Sequence, residues 1–377
     1  MKRTIYTSVS VLALLVAAPA VAQNNTSTVD QSGSANSATV LQEGSDSTSS
    51  VEQSGDNSTA NVDQSGANQA STVLQQDDAG GTVNVNQSNA DNTSSVEQTS
   101  LNSTASVDQS GTGNSSDLVQ GRTAGTEFQT NGQQASINQS GNDNQSFADQ
   151  TGSSGDLNVD QSGNNNLSDV IQSGFDNSAG NDTGTIGVDQ SGNDNAAYVV
   201  QSGQLSDAYV TQIGDNNLAT IDQSVNNAPN PAGGTDPRVA TASITQGGSD
   251  NDSSINQYGG NGSTSARLMS ASSSQGGDGN TSTIDQTNSL IAGSQSGNFA
   301  SADQSGNGND SAIFQDGADN SATLVQAGDG NVSDITQTGS GHTANVSQYS
   351  DGNTSTVLQG GTGNSATVTQ GTPGGGV

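Results

Sequence analysis

The chain has 377 residues, of which only 27% are hydrophobic and 3% aromatic, with no Trp and no Cys. Composition alone would place so polar a chain among disordered proteins, and the lack of Cys excludes disulfides and thiolate-ligated metals. A formal net charge of −32, with five Lys and Arg against 37 Asp and Glu, leaves no basic patch for nucleic acid or an anionic membrane surface.

Residues 1–22 read as a secretory signal peptide. Lys2 and Arg3 form a basic start, the stretch around Val9 to Val16 is the apolar core, and Ala20-Val21-Ala22 is a small-x-small cleavage site before Gln23. The apolar run is too short to span a bilayer, so no membrane insertion is expected. Beyond it the only cations are Arg122, Arg238 and Arg267.

From Gln23 onward the chain repeats with a period of eleven. Gln31, Gln42, Gln53, Gln64 and Gln75 form one run, and Gln315, Gln326, Gln337, Gln348, Gln359 and Gln370 another. Gly33, Asn36, Ala38 and Val40 keep phase with Gln31, as Gly361, Asn364, Ala366 and Val368 do with Gln359. The unit is Q-x-G-x-x-N-x-A-x-V-x, with Ser often in place of Ala and Ile or Leu in place of Val. A fixed period of this kind marks a repeat architecture. Asn36, Ala38, Val40 and Gln42 sit two apart, so they share one face of an extended strand, and helical recurrence is absent. The remaining residues, such as Glu43-Gly44-Ser45-Asp46, are turn formers, with glycine supplying positive φ. One such strand buries too little to fold alone; stacked strands cover one another and pair their backbones.

Along the chain, Asn57-Ser58-Thr59-Ala60-Asn61-Val62-Asp63-Gln64 recurs as Asn102-Ser103-Thr104-Ala105-Ser106-Val107-Asp108-Gln109. The offset of 45 is four units plus one residue, which favours a two-strand rung of about 22 residues over a triangular one. Gln120 to Gln139 reads as an irregular unit with Glu127 at the Val position. Gln172 to Gln190 and Gln257 to Gln275 each hold a seven-residue insertion, and Gln295 to Gln304 reads as a unit shortened by two. Turns at a solenoid edge tolerate such changes and strands do not. The expected organisation is a leader (1–22), a first solenoid part (23–225), a Pro/Gly-rich insertion loop (226–238) with Pro229, Pro231 and Pro237, a second part (239–371) and a Gly-rich tail (372–377).

The spacing Q-x-G-x-x-N-x-A-x-x-x-Q, intact at Gln31, Gly33, Asn36, Ala38 and Gln42, resembles the curlin repeat, and the likeness extends from about Gln31 to Gln370. It implies a subunit of curli, the bacterial functional amyloid: an extracellular cross-β fibre at the surface of a Gram-negative cell. The partners it implies are further copies of the chain, an outer-membrane curli-type secretion channel and a nucleator subunit. No cofactor is implied. The chain is longer than familiar curli subunits and enters the repeat almost directly after the leader.

The expected self-assembly ladder comprises Gln31, Asn36, Ala38, Val40, Gln42, Gln53, Gln64, Gln201, Gln212, Gln326, Asn331, Gln337, Gln359, Asn364, Ala366, Val368 and Gln370. Stacked at about 4.8 Å, inward amides can donate to one rung and accept from the other, which satisfies them when buried. The expected turn glycines are Gly33, Gly44, Gly55, Gly192, Gly203, Gly214, Gly317, Gly328 and Gly361. The residue before Gln is often acidic, as at Asp30, Glu52, Asp63, Glu97, Asp108, Asp160, Asp189, Asp222 and Asp285. Stacked, these would repel and keep the exported chain soluble. The sharper alternative is a divalent cation held between carboxylates, with Asp30, Glu52, Asp63 and Asp108 as candidates. Outward Thr and Ser pairs such as Thr48/Ser50, Thr281/Thr283 and Thr354/Thr356 suggest an ice-binding face, interrupted by Asn61, Asp117, Tyr198, Tyr209 and Asp334. His342 stands at an Asn position, and without a second histidine no catalytic set can be assembled. The sequence thus predicts an all-β solenoid of about fifteen rungs, roughly 70 Å tall, ending in units without a polar cap and polymerising into a fibre. The alternative is a monomeric secreted β-solenoid that acts as an adhesin or binding protein.

Overall fold

A computed structural model describes residues 24–76, 80–121, 132–174, 178–179, 187–225, 240–259, 269–288 and 297–372. The leader, the 226–238 loop, Arg122, Arg238, Arg267, Glu127, Gln295 and the tail beyond 372 lie outside them.

Alternation of side chains makes every unit a strand, and successive strands fall alternately into two sheets. The first sheet runs from Thr26–Gln31 to Thr354–Thr362 in fourteen strands, and the second from Ser37–Ser45 to Ser365–Gln370 in fifteen. All strands described pair in parallel and stack Gln on Gln, as in Val29↔Val51 with Gln31↔Gln53 and Val40↔Val62 with Gln42↔Gln64. Partners in uninterrupted units are 22 residues apart, so the molecule is a β-solenoid of two-strand rungs. In the second sheet Ser178–Ala179 and Val188–Gln190 share one rung, pairing with Asp156–Leu157 and Val159–Gln161. Both sheets are therefore fourteen rungs tall, about 60 Å at the cross-β spacing.

The core is the slot between the sheets. Val51, Ile221, Ile255, Ile284 and Ile335 of the first sheet and Val62, Ile137, Val210 and Leu324 of the second are at most 2% exposed. Each such side chain contributes on the order of 1.5–3 kcal/mol. The other inward apolar position differs between the sheets. The second sheet mostly places Ala there (Ala60, Ala105, Ala208, Ala344; Val83 and Leu157 are exceptions), while the first mostly places Ser (Ser49, Ser94, Ser168, Ser333) with hydroxyls that are buried and unpartnered, Ala197 and Ala219 being its exceptions.

Several expectations from phase are corrected. Between Gln120 and Gln139 the next described strand after Ser115–Gln120 is Gln134–Gln139, and Ile137 takes the Val position, stacking on Val107 and Val159, while Glu127 lies outside the described residues. The next described strand after Thr281–Asn288 is Phe299–Gln304, and Gln304 stacks between Gln275 and Gln326, so the 18 residues from Gln286 to Gln304 make one unit with added residues and not a unit shortened by two. The insertion in Gln172–Gln190 interrupts a strand rather than a turn. It leaves between Ala179 and Val188, where the uninterrupted strand has the outward-facing Asn158. Both flanking residues therefore stay buried, at 0% exposure. A strand can admit extra chain where its side chain would face solvent.

The turns are corrected too. Residues with positive φ recur four positions after Gln, at Asp46 (61°), Asn57 (60°), Asn165 (57°), Asn216 (58°) and Asp319 (59°). Asn and Asp tolerate this conformation because their side chains bond locally. Of the expected turn glycines, Gly33, Gly44, Gly317 and Gly361 have positive φ, and Gly55, Gly192, Gly203, Gly214 and Gly328 do not. At Gly192 a Cβ would lie 1.7 Å from the Gly214 carbonyl oxygen of the next rung. Glycine is required there by the close approach of two backbones, not by its dihedral.

Candidate functional site

The inward glutamines lie at or near the strand ends, and between the outermost rungs each donates both along the axis and across the rung. Gln53 Nε2 donates to Gln75 Oε1 at 2.8 Å and to Ser37 O of the opposite sheet at 3.1 Å. Gln64 repeats this with Gln87 Oε1 at 2.9 Å and Thr48 O at 3.0 Å. One bond runs along the axis and the other crosses the rung, so the amide ties sheet to sheet as well as rung to rung. Gln31, Gln42, Gln201, Gln212, Gln326 and Gln337 all donate to the glutamine above them at 2.6–3.0 Å. Gln359 and Gln370 receive the last link in each sheet.

Asparagine mostly does not form the amide-on-amide ladder expected for it; it bonds to backbone. Asn166 Nδ2 donates to Gly192 O at 2.8 Å, and Asn166 Oδ1 accepts from Asn195 N at 3.0 Å. Asn36 does the same with Gly55 O and Ser58 N, and Asn364 Nδ2 turns back to Gly360 O. Asn331 Oδ1 accepts from Asn353 N at 2.8 Å. The asparagine thus locks a turn to the turn above it. His342 fills this position by mimicry: Nδ1 accepts from Asn364 N at 3.1 Å, as an Asn oxygen would, and Nε2 bonds to Thr338 O at 3.2 Å. Its ring is fully buried.

Ala38, Val40, Ala366 and Val368 pack on the core from the outermost rungs and stay partly exposed, as does Val29. Every interior residue of the same columns has a neighbour on both sides; these have one.

The acidic positions before Gln mostly do not stack on one another. Consecutive units belong to opposite sheets, so Asp63 stacks on Asn86 and Asn86 on Asp108, while Glu52 stacks on Leu74 and Leu74 on Glu97. Asp30↔Glu52 and Asp160↔Asp189 are direct pairs. Of the four candidate cation ligands, Asp30 and Glu52 lie on the first sheet and Asp63 and Asp108 on the second, facing away from each other. Among the described residues no three His, Asp or Glu side chains converge. Burial, then the neighbouring Asp160, pushes the Asp189 carboxyl up. Asp160 is raised by burial and partly relieved by an Asn138 amide. Tyr258 is pushed up to about 12 by burial and its bond to Asp222. Asp56 is lowered by two hydrogen bonds from Ser34.

Sequence reasoning missed the carbonyls that take the cross-rung bonds and the segregation of Ser and Ala. Only the second had a signal: Ser and Ala alternate from unit to unit, except from Ala179 through Ala197, Ala208 and Ala219 to Ala242.

The fold is a parallel β-solenoid whose recurring chemistry lies in stacked side-chain amides. The chain carries the curlin repeat: the curlin associated repeat matches residues 22–55, 185–214, 296–327, 317–349 and 343–371. No curated protein matches the chain.

Proposed function

We propose that the chain is a structural subunit of an extracellular, curli-like amyloid fibre of the biofilm matrix, acting in adhesion and cell aggregation. It grows by adding copies to the open ends of the solenoid. The supporting observation is the likeness of the two outer rungs. The first is Thr26-Ser27-Thr28-Val29-Asp30-Gln31 with Ser37-Ala38-Thr39-Val40-Leu41-Gln42. The last is Thr354-Ser355-Thr356-Val357-Leu358-Gln359 with Ser365-Ala366-Thr367-Val368-Thr369-Gln370. They differ only at Asp30/Leu358 and Leu41/Thr369, both outward-facing. A second copy placed on the last rung therefore continues every inward column: Ser on Ser, Ala on Ala, Val on Val and Gln on Gln. The helical path ends on the second sheet and starts on the first, so this stacking preserves the rung spacing. Burial of Val29, Ala38, Val40, Ala366 and Val368 and pairing of the edge strands drive it.

The rest of the reading follows from the family. Export passes through the periplasm and a curli-type outer-membrane channel, a nucleator starts growth, and the role is structural rather than enzymatic. Purified residues 23–377 are expected to show a lag that seeds abolish, read by thioflavin fluorescence. A folded, β-rich chain that stays monomeric with seeds present would overturn the proposal in favour of a solenoid adhesin.

A further inference from the structure

The outer face of the first sheet changes character in its middle. One outward column carries Thr28, Ser50, Thr72 and Ser95 over its first rungs, and Thr220, Ser254 and Thr283 further on. Between them the same column reads Asp117, Phe147, Asp169 and Tyr198. The column beside it reads Val119, Asp149, Ile171 and Val200 over the same rungs. Carboxylates and apolar groups thus form a checkerboard. Asp149 has Val119 and Ile171 on either side in its column and Phe147 two residues away on its own strand. Phe147 is 41% exposed and Ile171 37%. A contiguous exposed apolar patch marks an interaction surface.

The carboxylates within the patch are poorly accommodated by the chain itself. Asp149 Oδ1 is buried and makes no hydrogen bond. Burial, then the neighbouring Asp169, pushes the Asp149 carboxyl up, and burial does the same to Asp169. No Lys or Arg lies among the described residues to offset them. A purely apolar partner would bury these carboxylates further without a counter-charge, and a second copy of the same face would bring more carboxylates to them. A cation suits the site on two counts. It pairs with a carboxylate, and on Asp169 it lies between the rungs of Phe147 and Tyr198, each about 4.8 Å away, where aromatic rings attract it.

We propose that this face docks a basic, apolar polypeptide segment. Its Arg or Lys side chains pair with Asp117, Asp149 and Asp169, and its apolar side chains pack on Phe147, Ile171 and Tyr198. The surface lies on the side of the solenoid, so a single chain carries it and the inference does not rest on the fibre reading.

The test is binding of a labelled, capped peptide to folded residues 23–377, read by fluorescence anisotropy. Arg and Leu take alternate turns at every second position of the peptide, with Ser between, so an extended chain carries both on one face. Two control peptides replace Leu by Ser or Arg by Gln. The Arg/Leu peptide is expected to bind roughly tenfold more tightly than either control. Phe147→Ser/Ile171→Thr should abolish that preference for Leu. Ser95 and Thr336 occupy these columns in other rungs, so the fold accepts the change. Asp149→Asn/Asp169→Asn should abolish the preference for Arg. Asp310→Asn/Asp334→Asn removes the same charge from the same face outside the patch and should leave binding unchanged. Equal weakening by the two Asp pairs would reduce the effect to net charge and overturn the proposal. So would wild-type affinity in the Phe147/Ile171 variant. If the peptide stays unbound while the patch variants lose sideways association between copies, the occupant is a second copy and the proposal falls.

Discussion

The two edges of the solenoid are built to different rules. On the edge leading from the second sheet to the first, the count from Gln to the next strand is constant: Gln42 to Thr48, Gln139 to Gln145, Gln246 to Asp252, Gln348 to Thr354. Here the asparagine column is continuous from Asn92 through Asn144, Asn195, Asn251 and Asn309 to Asn353. A second column runs beside it, in which Asn142, Asn164 and Asn193 accept from backbone N–H groups one rung below. The edge leading from the first sheet to the second takes the insertions between strands, after Gln75, Gln120, Gln223, Gln257 and Gln286. On that side the asparagine position is held by Gln133, Gly155, Ser206, Ala240 and Met269 in the middle of the molecule. Asparagine needs the glycine carbonyl of the next turn at a fixed place. Several of these turns change length and the asparagine-to-glycine bond is not repeated on that side in the middle of the molecule; the longer Gln133 reaches Gln150 O and Gly152 O instead. Ala240 and Met269 with Val225 form a small apolar cluster of their own instead.

The contrast can be broken most severely by moving an insertion to the wrong edge. Seven residues placed between Asn164 and Asn165, on the constant edge, should sever both side-chain columns. With about 1–3 kcal/mol for each orphaned buried group, several kcal/mol should be lost, read as a fall in the guanidinium midpoint. The same seven residues between Ser153 and Ser154 sever no asparagine column and should cost less, with loop-closure entropy adding below about 1 kcal/mol. Equal losses at the two sites would show that the edges do not differ.

A single side chain gives the next effect. Asn166→Ala should cost about 2–4 kcal/mol, because it orphans Gly192 O and Asn195 N together. His342→Asn, on the other edge, should stay within about 0.5 kcal/mol, since the imidazole already makes the asparagine's bonds. A large loss at His342 would mean that the ring does more than stand in for an amide. Matched denaturation curves on the two variants settle it.

The smallest effect concerns the outer face of the second sheet. Asp160 and Asp189 carry raised folded pKa values against the usual 3.8. A carboxyl with a raised folded pKa favours the folded state when protonated. Its contribution is present in full below the unfolded value and is lost as pH rises through the folded one. Acidification from neutrality toward pH 4 should therefore raise the melting temperature slightly. Asp189→Asn should reduce that rise, and an unchanged pH profile in the variant would remove these carboxyls from the account.

Much of this was legible in the chain because stacking makes the sequence repeat what the structure repeats. The two-residue spacing of Asn36, Ala38, Val40 and Gln42 gave the strand and its inward face, and the offset between Gln64 and Gln109 gave the two-strand rung. The choice of hydrogen-bond partner was not legible. Asparagine and glutamine carry the same amide, and only the position of Gly192 O next to Asn166 decides for backbone over a neighbouring side chain. The strand broken between Ala179 and Val188 was hidden for a related reason. An insertion of given length shifts the phase equally whether it leaves from a turn or from an outward strand position. The spacing of the acids was legible but misjudged, because neighbours in sequence lie on opposite sheets and stacking neighbours are two units apart.

The most direct test is the mass per unit length of the assembled fibre, by scanning transmission electron microscopy of unstained fibres. Head-to-tail continuation of a fourteen-rung solenoid should give one chain per about 67 Å of a single filament. One chain per about 4.8 Å, the value for flat strands stacked in register between copies, would contradict the account, because the rungs would then be made between molecules and not within one.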